Sequence, residues 1–296
     1  MNKNKKTLLK IQPYVWLLPS VLLMVTMILI PIISVFKISF SEVGRSGLVK
    51  GFNGVQNYLE IFKDTTFWTT LQNTFVWTIA VVGLSTVIGF ILAMVLNQEF
   101  FGRKFVRAVV IFPWATALVI QSVIWKYIIN ADYGSLNVLL SKLGIIDSFV
   151  NWTKTAQSMF AWECWVGIFV TFPFVTFCVL SGLQSIDTAL YESASVDGAG
   201  FWSKLFKITI PLVRPSLTVS TVLNIIYVFN SFPIVWTISK GVPADRTHTL
   251  VTYLYKLSFT EGKSGHAAAV SVIGFVILAI LASIYMFMSL RGEGEE

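Results

Sequence analysis

The stretch Asn73-Thr74-Phe75-Val76-Trp77-Thr78-Ile79-Ala80-Val81-Val82-Gly83-Leu84-Ser85-Thr86-Val87-Ile88-Gly89-Phe90-Ile91-Leu92-Ala93-Met94-Val95-Leu96-Asn97 contains no charged residue. About 20 such residues in a helix cross the hydrocarbon core of a bilayer. Working outward, five more stretches are about as long and mostly apolar, at roughly 14–36, 105–127, 158–182, 214–238 and 266–290. The whole chain of 296 residues is 55% hydrophobic and only 12% charged, with a mean hydropathy of +0.73. Soluble domains carry about 25% charged residues, so a compact soluble fold of this size could not bury so much apolar surface. The reading is an all-α, polytopic membrane protein: one transmembrane domain over 1–296 with six transmembrane helices. No segment between the spans is long enough for a separate catalytic domain. The first span is read as a retained anchor, because Pro19 and Pro31 interrupt it and no small-residue cleavage site follows.

Orientation follows from the basic residues. The net charge of +7 is spread over short segments between apolar runs, which speaks of membrane orientation and not of nucleic acid. The short patches Lys3, Lys5, Lys6, Lys10 and Arg103, Lys104, Arg107 favour N-in and C-in, since the positive-inside rule applies best to short loops. Residues 37–72 and 128–157 are then outer loops, and 185–213 is the longest inner segment.

Cysteine and histidine carry little chemistry. Cys164 and Cys178 lie about 21 Å apart along a helix, well beyond the separation of about 7 Å a disulfide allows. His248 and His266 lack metal-ligand spacing and read as polar loop or helix-end residues.

The inner segment is the informative one. Asp187 can cap a short helix running to about Asp197. Gly198 and Gly200 are expected to end it. A second helix follows, with Phe201, Leu205 and Ile208 near one face and Lys204 and Lys207 near the other. Pro211 is expected to stop that helix and Pro215 to open the next span. The product is a helix, a glycine turn and a helix, suited either to a groove on a partner or to the headgroup layer.

This segment resembles the cytoplasmic EAA loop of permease subunits in binding-protein-dependent ABC importers. That pattern reads Glu-Ala-Ala, three residues, Gly, nine residues, then Ile-x-Leu-Pro. Here Glu192, Ser193 and Ala194 are followed at the same spacing by Gly198 and by Ile208-Thr209-Ile210-Pro211. Ser193 and Ile210 are the two departures. The resemblance extends to Gly51-Phe52-Asn53-Gly54-Val55-Gln56-Asn57-Tyr58, Phe67-Trp68, Gly134-Ser135-Leu136-Asn137, Pro173-Phe174 and Gly265-His266-Ala267-Ala268-Ala269. These look like the larger permease of maltose-permease-type carbohydrate importers. The resemblance implies half of a heterodimer with a second, non-identical permease, two ATP-binding subunits, an extracytoplasmic substrate-binding protein and a bacterial-type cell membrane. It implies that ATP and Mg are bound by the partner ATPases, so that this chain needs no cofactor. Glu192, Ser193, Ala194, Asp197, Gly198 and Pro211 are the implied ATPase-coupling residues.

The fifth span offers a separate clue. Ser220, Asn224, Tyr227 and Ser231 fall at i, i+4, i+7 and i+11, within about 60° of one another on a helix. Asn230 lies on the flank of this stripe. Such a stripe faces a cavity or bonds helix to helix, and amide, hydroxyl and aromatic groups together suit a sugar. Tyr227 and Ser231, with Val170, Thr171 and Phe174 of the fourth span, also fall at path positions of the resembled family. Phe174 reads equally as plain packing beside Pro173. Glu163, near the outer end of the fourth span, is expected to snorkel or pair outside.

Gly262-Lys263-Ser264 resembles the end of a phosphate-binding loop, but Leu257 occupies the required glycine position. No catalytic arrangement and no metal site emerges. Within the importer reading the substrate could be a glycerol-phosphate-like polyol. An ion-coupled transporter would usually show intramembrane acids and an internal repeat, and a membrane-embedded enzyme would need clustered acids or histidines.

Overall fold

The computed structural model describes residues 16–45 and 47–291, with side chains described to 287. The basic patch at Lys3, Lys5, Lys6 and Lys10 and the start of the first span lie outside the described residues. In chain order the elements are α1 (Trp16–Ser39), β1 (Ser41–Val43), β2 (Val49–Phe52), α2 (Gln56–Lys63), α3 (Thr65–Asn97), α4 (Arg103–Ala115), α5 (Leu118–Ile128), α6 (Ser135–Lys142) and α7 (Ala156–Gln184). They continue as α8 (Thr188–Val196), α9 (Phe201–Lys204), α10 (Ile210–Phe229), α11 (Pro233–Ile238), α12 (Leu250–Tyr255) and α13 (Ser264–Arg291). The fold is helical, as composition requires. The hairpin of β1 and β2 is an addition, pairing Ser41 with Phe52 and Glu42 with Gly51.

Among the described residues five helices are long and apolar enough to cross a membrane, and a sixth crossing exists if the bent pair α4 and α5 is one span. The expected continuous third span is therefore corrected: α4 and α5 meet at 99°. Pro113 lacks an N–H and clashes with a regular helical turn. Thr116 and Ala117 then turn extended, at ψ 141° and 134°, and the Thr116 hydroxyl donates to the Phe112 carbonyl at 3.0 Å. The fifth span is likewise interrupted at residues 230–232 before Pro233 restarts the helix.

Contacts sort the chain into two units. The first holds residues up to Asp64 together with Leu254–Phe275. Its α1 is exposed over most of its length, up to the buried Ser39 at its end. Buried Asn57 donates to the Ser39 and Ser41 carbonyls at 2.9 Å each, pinning α2 beneath the hairpin. His266, in the first turn of α13, sits 2.8 Å from the Glu60 carboxylate. The amide of Gln56 and, after it, the imidazole of His266 hold the Glu60 carboxyl below the usual range.

The second unit, Thr65–Tyr253 with residues from Val276 onward, contains the core. Trp77, Val81, Val166, Val170, Val228 and Val235 are buried together, and a second cluster joins Ala93, Leu96, Val175, Val179, Leu183 and Val213. Close packing of α3 on α7 depends on a small residue: a Cβ on Gly89 would lie 2.8 Å from the Val175 side chain, the kind of approach that holds membrane helices together. The Trp77 indole N–H donates to the Val228 carbonyl at 2.8 Å, tying α3 to α10.

One expectation about a single residue changes. Glu163 is fully buried, and neither carboxyl oxygen has a hydrogen-bond partner among the described residues. It sits eight residues into α7 and faces protein, so its short stem cannot reach the interface. His248 is buried too, stacked on Trp236 with ring centroids 6.4 Å apart, its Nδ1 3.1 Å from the Thr252 hydroxyl and its Nε2 3.4 Å from Asp245. Both cysteines are free. Among the described residues no three His, Cys, Asp or Glu side chains are grouped to hold a metal.

Candidate functional site

The loop between α7 and α10 is built from local chemistry. The Asp187 carboxylate accepts from the Ala189 N–H at 2.9 Å, which satisfies one of the free donors that start α8. Gly198 ends the helix with φ +77°, and the Ala199 N–H reaches back to the Ala194 carbonyl at 2.8 Å. A side chain would be strained at that φ, although nothing lies within 4 Å of where its Cβ would be. Gly200 does not end the helix. It is extended, at φ −74° and ψ 174°, and starts α9.

Pro211 does not stop the second helix either. A π turn, Leu205–Thr209, joins α9 to α10, and the Ile210 N–H reaches the Leu205 carbonyl. The widened turn accommodates the proline ring that a regular helix would reject. The second loop helix and the span are thus continuous. The Tyr191 and Thr209 hydroxyls meet at 3.0 Å, and the Lys204 ammonium donates to the Ser195 hydroxyl, so the two loop helices are braced against each other.

The faces also differ from expectation. Leu205 is buried, but Phe201, Trp202 and Phe206 stand exposed, Trp202 stacked on Phe206 with centroids 6.1 Å apart. Val196 is 88% exposed. Glu192, Ser193, Asp197 and Gly198 are exposed and Ala194 is half-buried. The Ser193 hydroxyl donates to the Leu190 carbonyl at 3.1 Å. The loop therefore offers a polar edge and an apolar aromatic ridge on a braced turn. Behind it a cavity of about 310 Å³ is bordered by Met94, Leu183, Tyr191, Lys204 and Thr209. Arg103, of the basic patch, donates from Nε to the Leu96 carbonyl near the end of α3 at 2.7 Å.

A second cavity, of about 270 Å³, is lined by Trp114, Thr171, Phe174, Leu223, Asn224 and Tyr227. It gathers four of the expected path residues from α7 and α10 and adds Trp114, at the end of α4. The Trp114 and Phe174 rings stack with centroids 6.5 Å apart. The α4–α5 break begins two residues from Trp114, in keeping with the rule that irregular backbone at membrane depth borders a cavity or packed protein. Asn224 is 1% exposed, and its Nδ2 donates to the Ser85 hydroxyl at 2.9 Å. The Thr171 hydroxyl donates to the Gly167 carbonyl at 2.8 Å.

The other four path candidates lie outside this lining. Val170 is packed in the core. The Ser220 hydroxyl donates to the Leu217 carbonyl of its own helix at 3.0 Å. Asn230 caps the end of α10, its amide donating to the Ile226 carbonyl at 2.8 Å, and Ser231 is buried at the interruption that follows. Sequence reasoning missed Trp114 and Ser85. Trp114 adjoins Pro113, the one signal that the third span breaks there, whereas Ser85 is a lone small hydroxyl with no pattern around it.

Comparison with known proteins agrees with this architecture. The family described as "Binding-protein-dependent transport system inner membrane component" matches residues 85–291. A probable ABC transporter permease protein of Brucella suis biovar 1 is 42% identical over 281 residues, covering 95% of this chain and 97% of the relative. The trehalose/maltose transport system permease protein of Thermococcus litoralis is 32% identical, with 92% of each chain covered. A crystal structure of a bacterial ABC transporter involved in the import of alginate shares the fold, with a TM-score of 0.86 at 21% identity, covering 98% of this chain and 99% of that one. With its apolar helices, its braced loop and a match over most of its length, this chain belongs to the family of binding-protein-dependent transport system inner membrane components and is a multi-pass membrane permease.

Proposed function

We propose that the chain is the transmembrane permease subunit of an ATP-driven importer for carbohydrate. It would form half of the translocation path beside a second, non-identical permease. Two ATP-binding subunits would hold ATP and Mg on the cytoplasmic side, and an extracytoplasmic binding protein would deliver the substrate. In this reading both termini are cytoplasmic, the chain itself is not an enzyme, and residues 185–213 are the lever. The observation that carries it is the braced helix–glycine–helix loop with exposed Phe201, Trp202 and Phe206, its second helix continuous with α10 through the π turn. A push on the loop therefore travels along the helix that lines the 270 Å³ cavity. The carbohydrate assignment is supported by the trehalose/maltose relative and by the amide, phenol and aromatic rings that border the cavity.

The test is purification of the tagged chain from native membranes in mild detergent, followed by reconstitution. Recovery of a second permease and an ATPase, with ATP-dependent uptake of a sugar in proteoliposomes, is the expected outcome. A stable chain that never brings down an ATPase under gentle conditions contradicts the reading.

A further inference from the structure

The first turn of α4 and the last turn of α7 bring basic side chains together on the side of the bundle that carries the 185–213 loop. Arg103 and Arg107, one helical turn apart in α4, both reach Gln184, the last residue of α7. Guanidinium groups only donate. The Gln184 amide therefore presents its oxygen to them, accepting from Arg103 Nη2 at 3.2 Å and from Arg107 Nη2 at 2.9 Å. One neutral oxygen thus holds two like charges together. Neither arginine has an ion pair among the described residues, and Lys104 between them adds a third cation. Arg103 and Arg107 are half-buried while Lys104 and Gln184 are exposed, so the group can be reached from outside the bundle.

Like charges held this close repel, and an anion placed between them offsets the repulsion. A phosphate suits the place, because the guanidinium fork matches its oxygens in pairs. The surroundings decide where that phosphate comes from. Lys104, Ala108 and Ile111 are exposed at i, i+4 and i+7 of α4, a flank that leads from the cations along the span. Phe101 in the preceding turn and Phe105 next to Lys104 expose their rings as well. Cations followed along one helix by bare apolar surface match a phospholipid, headgroup first and acyl chain after, and basic pockets between membrane helices bind such headgroups. A dissolved anion makes no use of the apolar part. A zwitterionic lipid brings a cation of its own, which three uncompensated cations repel, so the site favours a lipid of net negative charge.

We propose that Arg103 and Arg107, with Lys104 at the rim, form a binding site for the phosphate of an anionic phospholipid from the leaflet on the loop side, and that this phosphate replaces the Gln184 amide oxygen between the two guanidinium groups. Gln184 ends α7, and Asp187, three positions on, caps α8, so the headgroup sits at the root of the loop. The proposal goes beyond the importer reading and does not depend on it, since it needs only the membrane fold.

The experiment uses the full chain in mild detergent, with whatever subunits it carries from native membranes. Phosphatidylglycerol and phosphatidylethanolamine with the same acyl chains are titrated, and lipid adducts on the mass of this chain are followed by native mass spectrometry. A basic residue near an anionic headgroup is worth about fivefold in affinity. With two arginines acting together, phosphatidylglycerol should bind at least about tenfold more tightly than phosphatidylethanolamine. The double variant Arg103→Gln, Arg107→Gln should bring the two lipids within about twofold of each other. Gln184→Glu, which gives the arginines a carboxylate of their own, should do the same, whereas Gln184→Ala keeps the preference. Lys207→Gln removes a cation from the loop but not from the site, and should leave the preference within about twofold of wild type. Equal binding of both lipids by the wild-type chain, an unchanged preference in Gln184→Glu, or an equal loss in Lys207→Gln overturns the proposal. Displacement of phosphatidylglycerol by an equimolar amount of inorganic phosphate overturns it too, because the ligand is then a dissolved anion. If the double arginine variant does not fold, the wild-type comparison and Gln184→Glu still decide. A chain that keeps the lipid preference but never brings down an ATPase contradicts the importer reading alone.

Discussion

The loop at 185–213 and the cavity at Trp114, Phe174 and Asn224 are both parts of the second unit, but they are made in opposite ways. The loop is assembled from neighbours: Asp187 caps α8 two residues on, Ser195 meets Lys204, and Tyr191 meets Thr209 18 positions away. It exposes its apolar side chains. The cavity is assembled from distance: Asn224 meets Ser85 across 139 positions, and the neighbouring brace from Trp77 to Val228 spans 151. It hides its polar groups. A change in the loop should therefore alter what the protein docks to while leaving the bundle intact. A change near the cavity should disturb folding, path and selectivity together.

The largest expected effect is on the distant brace. Trp77 is 1% exposed and its indole N–H is hydrogen-bonded, so Trp77→Ala removes a buried aromatic and the hydrogen bond that ties α3 to the Val228 carbonyl. A loss of about 3–5 kcal/mol is expected, read as a fall in the midpoint of thermal unfolding in detergent. A variant as stable as wild type would mean that α3 and α10 are not held together there. The loop should behave in the other way. Trp202 is 67% exposed and stacked on Phe206, so Trp202→Ala should change thermal stability by no more than about 0.5 kcal/mol. It should nonetheless weaken association with the ATPase partner by about tenfold in a pull-down titration, if the ridge is the docking anchor.

The smallest effect belongs to neither region, and so serves as a control. Glu60, about half exposed and 2.8 Å from His266, has its carboxyl held below the ordinary value. Its contribution is therefore present above the unfolded carboxylate pKa and lost as pH falls through the lowered folded value. Solvent screening keeps that contribution to at most about 0.5 kcal/mol. Glu60→Gln should flatten a slight drop in stability below about pH 4.5 and leave uptake at neutral pH unchanged.

How much of this could be read from the chain differs by region for the same reason. α3 is legible because charge-free length alone requires a membrane helix, and Asp187 and Gly198 because caps and left-handed turns are decided within a few residues. Pro211 misleads because the rule against interior proline assumes a regular helical register, and the π turn at Leu205–Thr209 changes the register. Pro113 signals a disturbance in the third span but not a 99° turn completed at Thr116 and Ala117. Helical periodicity placed Asn224 and Tyr227 on one side of α10, and the family resemblance added Thr171 and Phe174. Periodicity says nothing about which neighbour fills the space between helices, so Trp114 and Ser85 were invisible. Glu163 was misplaced because a position near the end of an apolar run does not reveal what packs against it.

The central claim is that the loop transmits force without being part of the path. The most direct measurement is sugar moved per ATP hydrolysed in proteoliposomes by the assembled importer carrying Gly198→Asp. Gly198 has φ +77° with open space beside its missing Cβ. Any side chain at that φ is strained, and relief of the strain alters the angle between α8 and α9, while aspartate bears the conformation better than most residues, so the variant should fold and assemble. The account predicts assembly with both partners at wild-type yield, continued ATP hydrolysis, and a coupling ratio reduced at least about tenfold. A wild-type coupling ratio in the assembled variant would contradict it.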